Sequence, residues 1–125
     1  MVYLAYMNSL MNDLNEQRLK ENEVIFRKAN ENVAEYVEEQ IGGDAAILPF
    51  YCECSRPKCR QRIKISTKEY KQLHKNRRQF IAIKGHETPS IEKVLQRATG
   101  FIVLEKFGKM PTEEAVDIAL SQVTA

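Results

Sequence analysis

Phe50-Tyr51-Cys52-Glu53-Cys54-Ser55-Arg56-Pro57-Lys58-Cys59-Arg60-Gln61-Arg62 holds all three cysteines of a 125-residue chain, spaced C-x-C-x4-C. Three cysteines cannot all pair within one chain, and a reducing compartment has little use for a disulfide. A thiolate cluster around a metal ion uses all three. Zinc takes four ligands at tetrahedral corners, and cysteines spaced closely on a turn supply several at small ordering cost. Downstream, Gly85-His86-Glu87 places a histidine after a turn glycine. Cys52, Cys54, Cys59 and His86 therefore make a candidate set of three thiolates and one imidazole for Zn2+. Glu53 and Glu87 are reserve ligands, or acceptors for the histidine's other ring nitrogen. His74, beside Leu73, reads as a satisfied helix-edge histidine before it reads as a ligand. The competing reading makes Cys52 and Cys54 small buried hydrophobes alternating with Glu53 on a strand. Three cysteines crowded into a loop that also contains Pro57 weigh against it.

The runs on either side of this loop set the fold. Leu48-Pro49-Phe50-Tyr51-Cys52 is a short extended run, and Pro49 puts it at a strand start or a sheet edge. Arg62-Ile63-Lys64-Ile65-Ser66 alternates as a strand with one wet face does. Joined by the cysteine loop, the two runs form an antiparallel hairpin. Ser66 and Glu69 fit a capping box opening a helix to about Asn76, with Tyr70 and Leu73 inward. Phe80-Ile81-Ala82-Ile83 is the next strand. Ser90 is expected to cap a short helix with Ile91, Val94 and Leu95 facing in, closed by Gly100. Phe101-Ile102-Val103-Leu104, the most apolar strand, belongs at the centre of the sheet. Thr112 is expected to cap a last helix, with Glu113 and Glu114 in its first turn and Val116, Ala119, Leu120 and Val123 on one face.

Upstream, Asn8 and Ser9 can cap a helix running to Ile41. Phe26, Ala29, Val33, Val37 and Ile41 recur at spacings of three and four. Gly42-Gly43 ends it, as a left-handed C-terminal residue would. Such a helix is about 50 Å long, against a radius of gyration of about 14 Å for a domain of this size. It is therefore expected to break near residues 12–15 or to pack on a partner. The order α-β-β-α-β-α-β-α predicts an α+β fold: a long N-terminal helix, then a small, mostly antiparallel sheet with short helices and a zinc-knuckle loop. Residues 1–43 form a helical arm and 44–125 the zinc-binding body, within a single domain.

The net charge of +2 conceals an asymmetry. Residues 55–84 carry 11 basic side chains and 1 acidic one, whereas residues 1–54 carry 4 basic and 10 acidic. Arg56, Lys58, Arg60, Arg62 and Lys64 fall at every second position, which on an extended strand is one face. Lys68, Lys71, Lys75, Arg77 and Arg78 follow. A one-sided stripe of this kind is the footprint of phosphate binding, with Tyr51 or Tyr70 available to stack on a base. The alternative turns the stripe inward, onto the acidic helix at Glu31, Glu35, Glu38 and Glu39. No apolar run approaches the roughly 20 residues of a membrane span. The apolar start Met1–Met7 lacks a basic region and a cleavage site. The cytoplasm is the expected compartment.

The cysteine spacing from Cys52 to Cys59 resembles the post-SET zinc motif of lysine methyltransferases, whose three cysteines take a fourth ligand from elsewhere. The chain is too short for a SET domain, so the likeness concerns the metal knuckle and not methyl transfer. A wider set of residues is similar to a family of small uncharacterised bacterial proteins. It comprises Phe26, Asn30, Cys52-Glu53-Cys54 with Cys59, Glu69-Tyr70, Phe80 and Gly85-His86-Glu87. That resemblance implies that the cysteines and His86 act as a unit, and it brings no activity. Its members are often acidic where this chain has Arg56 and Lys58.

P-loop, G-x-G-x-x-G, G-x-S-x-G and H-E-x-x-H motifs are all absent. The expectation is a non-enzymatic, zinc-stabilised binding or regulatory protein contacting nucleic acid or a ribonucleoprotein surface through the stripe. A protein–protein adaptor or homodimer using the acidic N-terminal helix is the alternative. A thiol redox sensor, its cysteines activated by Arg56, Lys58 and Arg60, is the third reading.

Overall fold

The computed structural model describes residues 2–42, 46–112, 114–115 and 117–118, and for residues 2–15 the backbone alone. The elements among them are α1 (Val2–Ile41), β1 (Ile47–Tyr51), β2 (Arg62–Ser66), α2 (Thr67–Leu73), β3 (Gln79–Ala82), β4 (Glu92–Ala98) and β5 (Phe101–Lys106). The class is α+β, with a long helix ahead of small antiparallel sheets. One sheet is the hairpin β1-β2, and the other has the order β3-β5-β4.

Alternation builds the hairpin as expected: Ile63 and Ile65 are buried while Arg62 and Lys64 face outward. The register runs from Ile47 opposite Ser66 to Tyr51 opposite Arg62. Ser66 caps α2, its hydroxyl accepting the Glu69 N–H at 3.1 Å. The four apolar residues that open β5 are all buried, and β5 takes the central place between β3 and β4. With Phe50, Ile63, Ile65, Tyr70, Phe80 and Ile81 they make the core.

Residues 90–100 correct the expected helix. Glu92–Ala98 form strand β4, paired antiparallel with β5, and the chain turns at Thr99-Gly100. A register shift between Val94 and Gln96 leaves Leu95 exposed. That bulge breaks the period of two, which is why Ile91, Val94 and Leu95 imitate a helical face. Ser90 lies in a turn in which the Ile91 N–H donates to the Thr88 carbonyl at 3.0 Å. Gly100 has φ +86, a left-handed turn position that a helix-closing reading also fits.

Two expectations about α1 also change. It starts at Val2, so Asn8 and Ser9 are inside it, and it runs unbroken through residues 12–15 for 40 residues, about 60 Å. Leu4, Ala5 and Met7 ahead of Asn8 are good helix formers, and interior Asn or Ser costs only a few tenths of a kcal/mol. Gly42 ends it as expected, at φ +73 with its N–H on the Glu38 carbonyl at 2.8 Å. Gly43 lies outside the described residues. The packed face is not the apolar stripe read from the spacing: Val33 is 47% exposed and Ile41 71%. Lys20, Glu23, Val24, Arg27, Asn30 and Ala34 are buried instead. Polar residues face the body there because each meets a specific partner: Lys20 Nζ donates to Lys109 O at 3.0 Å, Arg27 donates to Arg77 O, and the partners of Glu23 and Asn30 are described below.

Thr112 accepts the Ala115 N–H at 3.1 Å, as a cap does, and residues 114–115 and 117–118 are helical. Glu113, Val116, Ala119, Leu120 and Val123 lie outside the described residues.

Candidate metal centre

Cys52, Glu53 and Cys54 continue from the end of β1 as an extended segment. The Cys52 N–H donates to Gln61 O at 3.0 Å and the Glu53 N–H to Ile81 O at 2.8 Å, tying the segment to both sheets. Residues two apart on an extended chain point the same way, so the two cysteines face one side and Glu53 the other. Beyond them the chain turns, with the Cys59 N–H on Arg56 O at 3.1 Å, and this returns Cys59 to its partners. The His86 N–H donates to Ile83 O at 2.9 Å across a turn whose third residue, Gly85, has φ +89. Positive φ at that place is the demand of a type II turn, and glycine meets it without strain.

These two turns bring one ligand atom from each of Cys52, Cys54, Cys59 and His86 within 4.8 Å of one another. His86 Nδ1 lies 3.6 Å from Cys52 Sγ and 3.7 Å from Cys59 Sγ. A tetrahedral ion with bonds of about 2.3 Å to sulfur and 2.0–2.1 Å to nitrogen sets a sulfur-to-nitrogen edge of about 3.6 Å. The cluster can hold a metal ion. Within the cluster, a hydrogen bond from Cys52, with help from the Arg56 N–H, pulls the Cys54 thiol down to about 5 against burial. Cys52, holding that proton, is pushed up. The Ile83 N–H also donates to Cys52 Sγ at 3.2 Å.

Neither Glu53, Glu87 nor His74 belongs to the ligand cluster. Glu53 is fully buried behind it and collects four donors. His74 Nε2 and Tyr70 Oη each approach it at 2.6 Å, and Asn30 Nδ2 and the Ile81 N–H at 3.0 Å. Burial opposes the Glu53 charge, but His74, Tyr70 and Asn30 outweigh it and hold the carboxyl below its usual range. Burial likewise opposes the His74 charge, and Glu53 more than offsets it, so the imidazole is raised. His74 is thus a satisfied histidine, with Nδ1 2.7 Å from Tyr70 O. Asn30 also pairs with both backbone groups of Tyr51, at 2.7 and 2.9 Å.

A second buried group lies on the histidine side. Lys106 contacts Glu23 and lies 3.2 Å from Glu92, with all three side chains buried. Burial drives the ammonium towards losing its proton and the Glu92 carboxyl, lifted to about 7, towards keeping its own.

The basic stripe divides. Arg56, Lys58 and Arg60 sit in the turn of the cysteine loop, not on a strand, because the chain must bend there to bring Cys59 home. Only Arg62 and Lys64 share a strand face. Lys71 pairs with Glu38, and Arg77 with Glu31 at 2.7 Å, so part of the stripe does turn onto the acidic helix. Arg56 reaches Gly85 O at 3.4 Å, and Arg78 reaches Gly108 O at 2.7 Å. Lys58, Arg60, Arg62, Lys64, Lys68 and Lys75 are exposed. The Arg62 guanidinium covers one face of the half-buried Tyr51 ring at 3.6 Å, and Tyr70 is buried and offers no face to a base.

Two cavities, of about 250 and 400 Å3, lie along α1 around Glu31 and Arg77, and no cluster residue lines either. Among the described residues no helix is long and apolar enough to cross a membrane. Comparison with protein-family models, with curated proteins and with solved structures returns no match.

Proposed function

We propose that the chain is a cytoplasmic, zinc-stabilised binding protein, not an enzyme, that contacts the phosphates of nucleic acid or a ribonucleoprotein. The observation that carries the zinc reading is the cluster of three sulfurs and one imidazole nitrogen within 4.8 Å of one another, two of its sulfur-to-nitrogen edges being of tetrahedral size. Four protein ligands close such a site, as in structural zinc centres, whereas a catalytic zinc keeps a position open. In support of the partner, Lys58, Arg60, Arg62, Lys64, Lys68 and Lys75 are exposed and, among the described residues, lack an acidic partner on α1, and Lys71 and Arg77, although paired to α1, are exposed as well. Arg60 and Arg62 lie over the rings of Phe26 and Tyr51, which limits the side-chain entropy lost on binding an anion.

Gel shifts with mixed RNA and DNA at two salt concentrations test the partner. Binding is expected to weaken steeply with salt, and each phosphate contact removed flattens the log–log slope by about 0.7–0.9. Arg62→Gln and Lys64→Gln should weaken binding alike for different sequences, since phosphate contacts carry no base information. Absence of any shift at low salt contradicts the proposal.

A second reading has its own observation: Val33, Tyr36, Ile41 and Ile47 are 47–71% exposed. A protein-binding adaptor uses exposed apolar side chains of this kind, and Tyr36→Asp would then abolish association while leaving nucleic-acid binding unchanged.

A further inference from the structure

Helix α1 reaches both halves of the metal cluster from behind. On the cysteine side, Asn30 binds the Glu53 carboxylate and clamps Tyr51, and Asn22 Nδ2 donates to Ser55 O at 3.1 Å. On the histidine side, Glu23 contacts Lys106 and Lys106 contacts Glu92. Glu92 in turn accepts the Thr88 N–H at 2.8 Å, two residues past His86. Ser55 Oγ and Thr88 Oγ1, 2.7 Å apart, join the two sides. The ligands come from two separate segments, and one helix is linked to both through buried polar groups.

Glu53 makes the linkage strict. It stands between two ligands, so the backbone conformation that aims both thiols at the metal also aims its carboxylate at Asn30, Tyr70, His74 and the Ile81 N–H. An ion that fixes Cys52 and Cys54 fixes Glu53 for α1. A docked α1 in turn prepares the cysteines for the ion. Groups that orient ligands from behind commonly carry about 10–100-fold of metal affinity.

We infer that metal capture and the docking of α1 on the body are one coupled equilibrium, with Asn30 and Glu53 as positioning residues for the ligands; this rests on the metal reading above. Coupling of this kind is reciprocal: whatever factor the metal adds to docking, docking adds to metal affinity.

The test uses the full chain and zinc. Amide hydrogen exchange is measured with zinc bound and after chelation, and zinc affinity is measured by competition with a chromophoric chelator. Removing zinc is expected to speed exchange across residues 20–34 together with the cysteine loop. Asn30→Ala, which touches no ligand, is expected to weaken zinc about 10-fold, and Glu53→Gln about 10–100-fold. Tyr36→Ala, on the exposed face of the same helix, is expected to leave zinc affinity unchanged. If Asn30→Ala fails to fold, Asn22→Ala takes its place, with a severalfold loss expected. Tight zinc binding by wild type with unchanged affinity in these variants, or unchanged exchange in α1 on chelation, overturns the coupling and leaves the metal reading standing. A wild-type chain that binds no zinc overturns both.

Discussion

Cys54→Ser is expected to abolish tight zinc retention and to remove most of the chain's cooperative stability. The substitution is nearly isosteric at a fully buried position, so little packing is lost and the effect isolates the ligand. Structural zinc contributes about 10–16 kcal/mol of apparent binding free energy in zinc-finger peptides at pH 7, and that energy is realised as folding. The net stability of a domain is about 5–15 kcal/mol, so the two quantities are comparable. The cluster also sits at the join of both sheets through the Cys52 and Glu53 backbone bonds, and its loss is felt beyond the loop. Urea unfolding followed by circular dichroism checks this. Chelated wild type and Cys54→Ser should unfold at much lower urea than zinc-loaded wild type. Added zinc should rescue only the former. An unchanged midpoint in Cys54→Ser rules out a structural metal.

Lys106→Met is expected to be the most destabilising change away from the cluster. Glu23 and Glu92 are as buried as the lysine between them, and the substitution takes the shared nitrogen from both carboxylates. Removing one member of a buried ionic or hydrogen-bonded group costs about 3–5 kcal/mol, because the carboxyl groups that remain stay buried without their partner. For a domain of this size that is a fall in Tm of roughly 10–20 °C. The double variant Glu23→Leu/Lys106→Met should recover part of the loss, since an apolar pair of similar volume can replace a buried ion pair. Thermal melts in zinc-saturated buffer read both. A fall of under about 2 °C for the single variant, well short of the cost of carboxyls buried without their partner, means that the carboxylates find other partners.

What the sequence revealed was carried by short-range pattern. The C-x-C-x4-C spacing, the glycine before His86, the alternation of Ile63 and Ile65, and Ser66 three residues ahead of Glu69 are all local signals. Each has its counterpart in the structure. The buried polar groups had no such signal. Glu53 meets Tyr70, His74 and Asn30 across separations of 17, 21 and 23 residues. In the sequence it is simply the residue between two cysteines. Asn30 is marked only by a family resemblance, which assigns it no role, and Tyr70 reads as an inward helix residue or a base-stacking ring, not as a partner of Glu53. The same blindness misplaced the packed face of α1. Hydrophobic periodicity selects Val33 and Ile41, while the helix docks through Glu23, Arg27 and Asn30, which a pattern argument assigns to solvent. In β4 a single bulge at Leu95 was enough to convert a strand's spacing into a helix's. The alternating arginines before Arg62 misled for a related reason: closing the cysteine cluster bends the chain at the place where a continuous strand face would need it straight.

X-ray absorption at the zinc edge, combined with metal analysis of protein purified without chelators, tests the central claim most directly. One zinc per chain is expected, bound by three sulfurs at about 2.3 Å and one nitrogen at about 2.0–2.1 Å, with the nitrogen lost in His86→Ala. Protein that contains no metal, and in which Cys52, Cys54 and Cys59 all titrate as free thiols, would contradict the account and favour thiol redox chemistry at the same three residues.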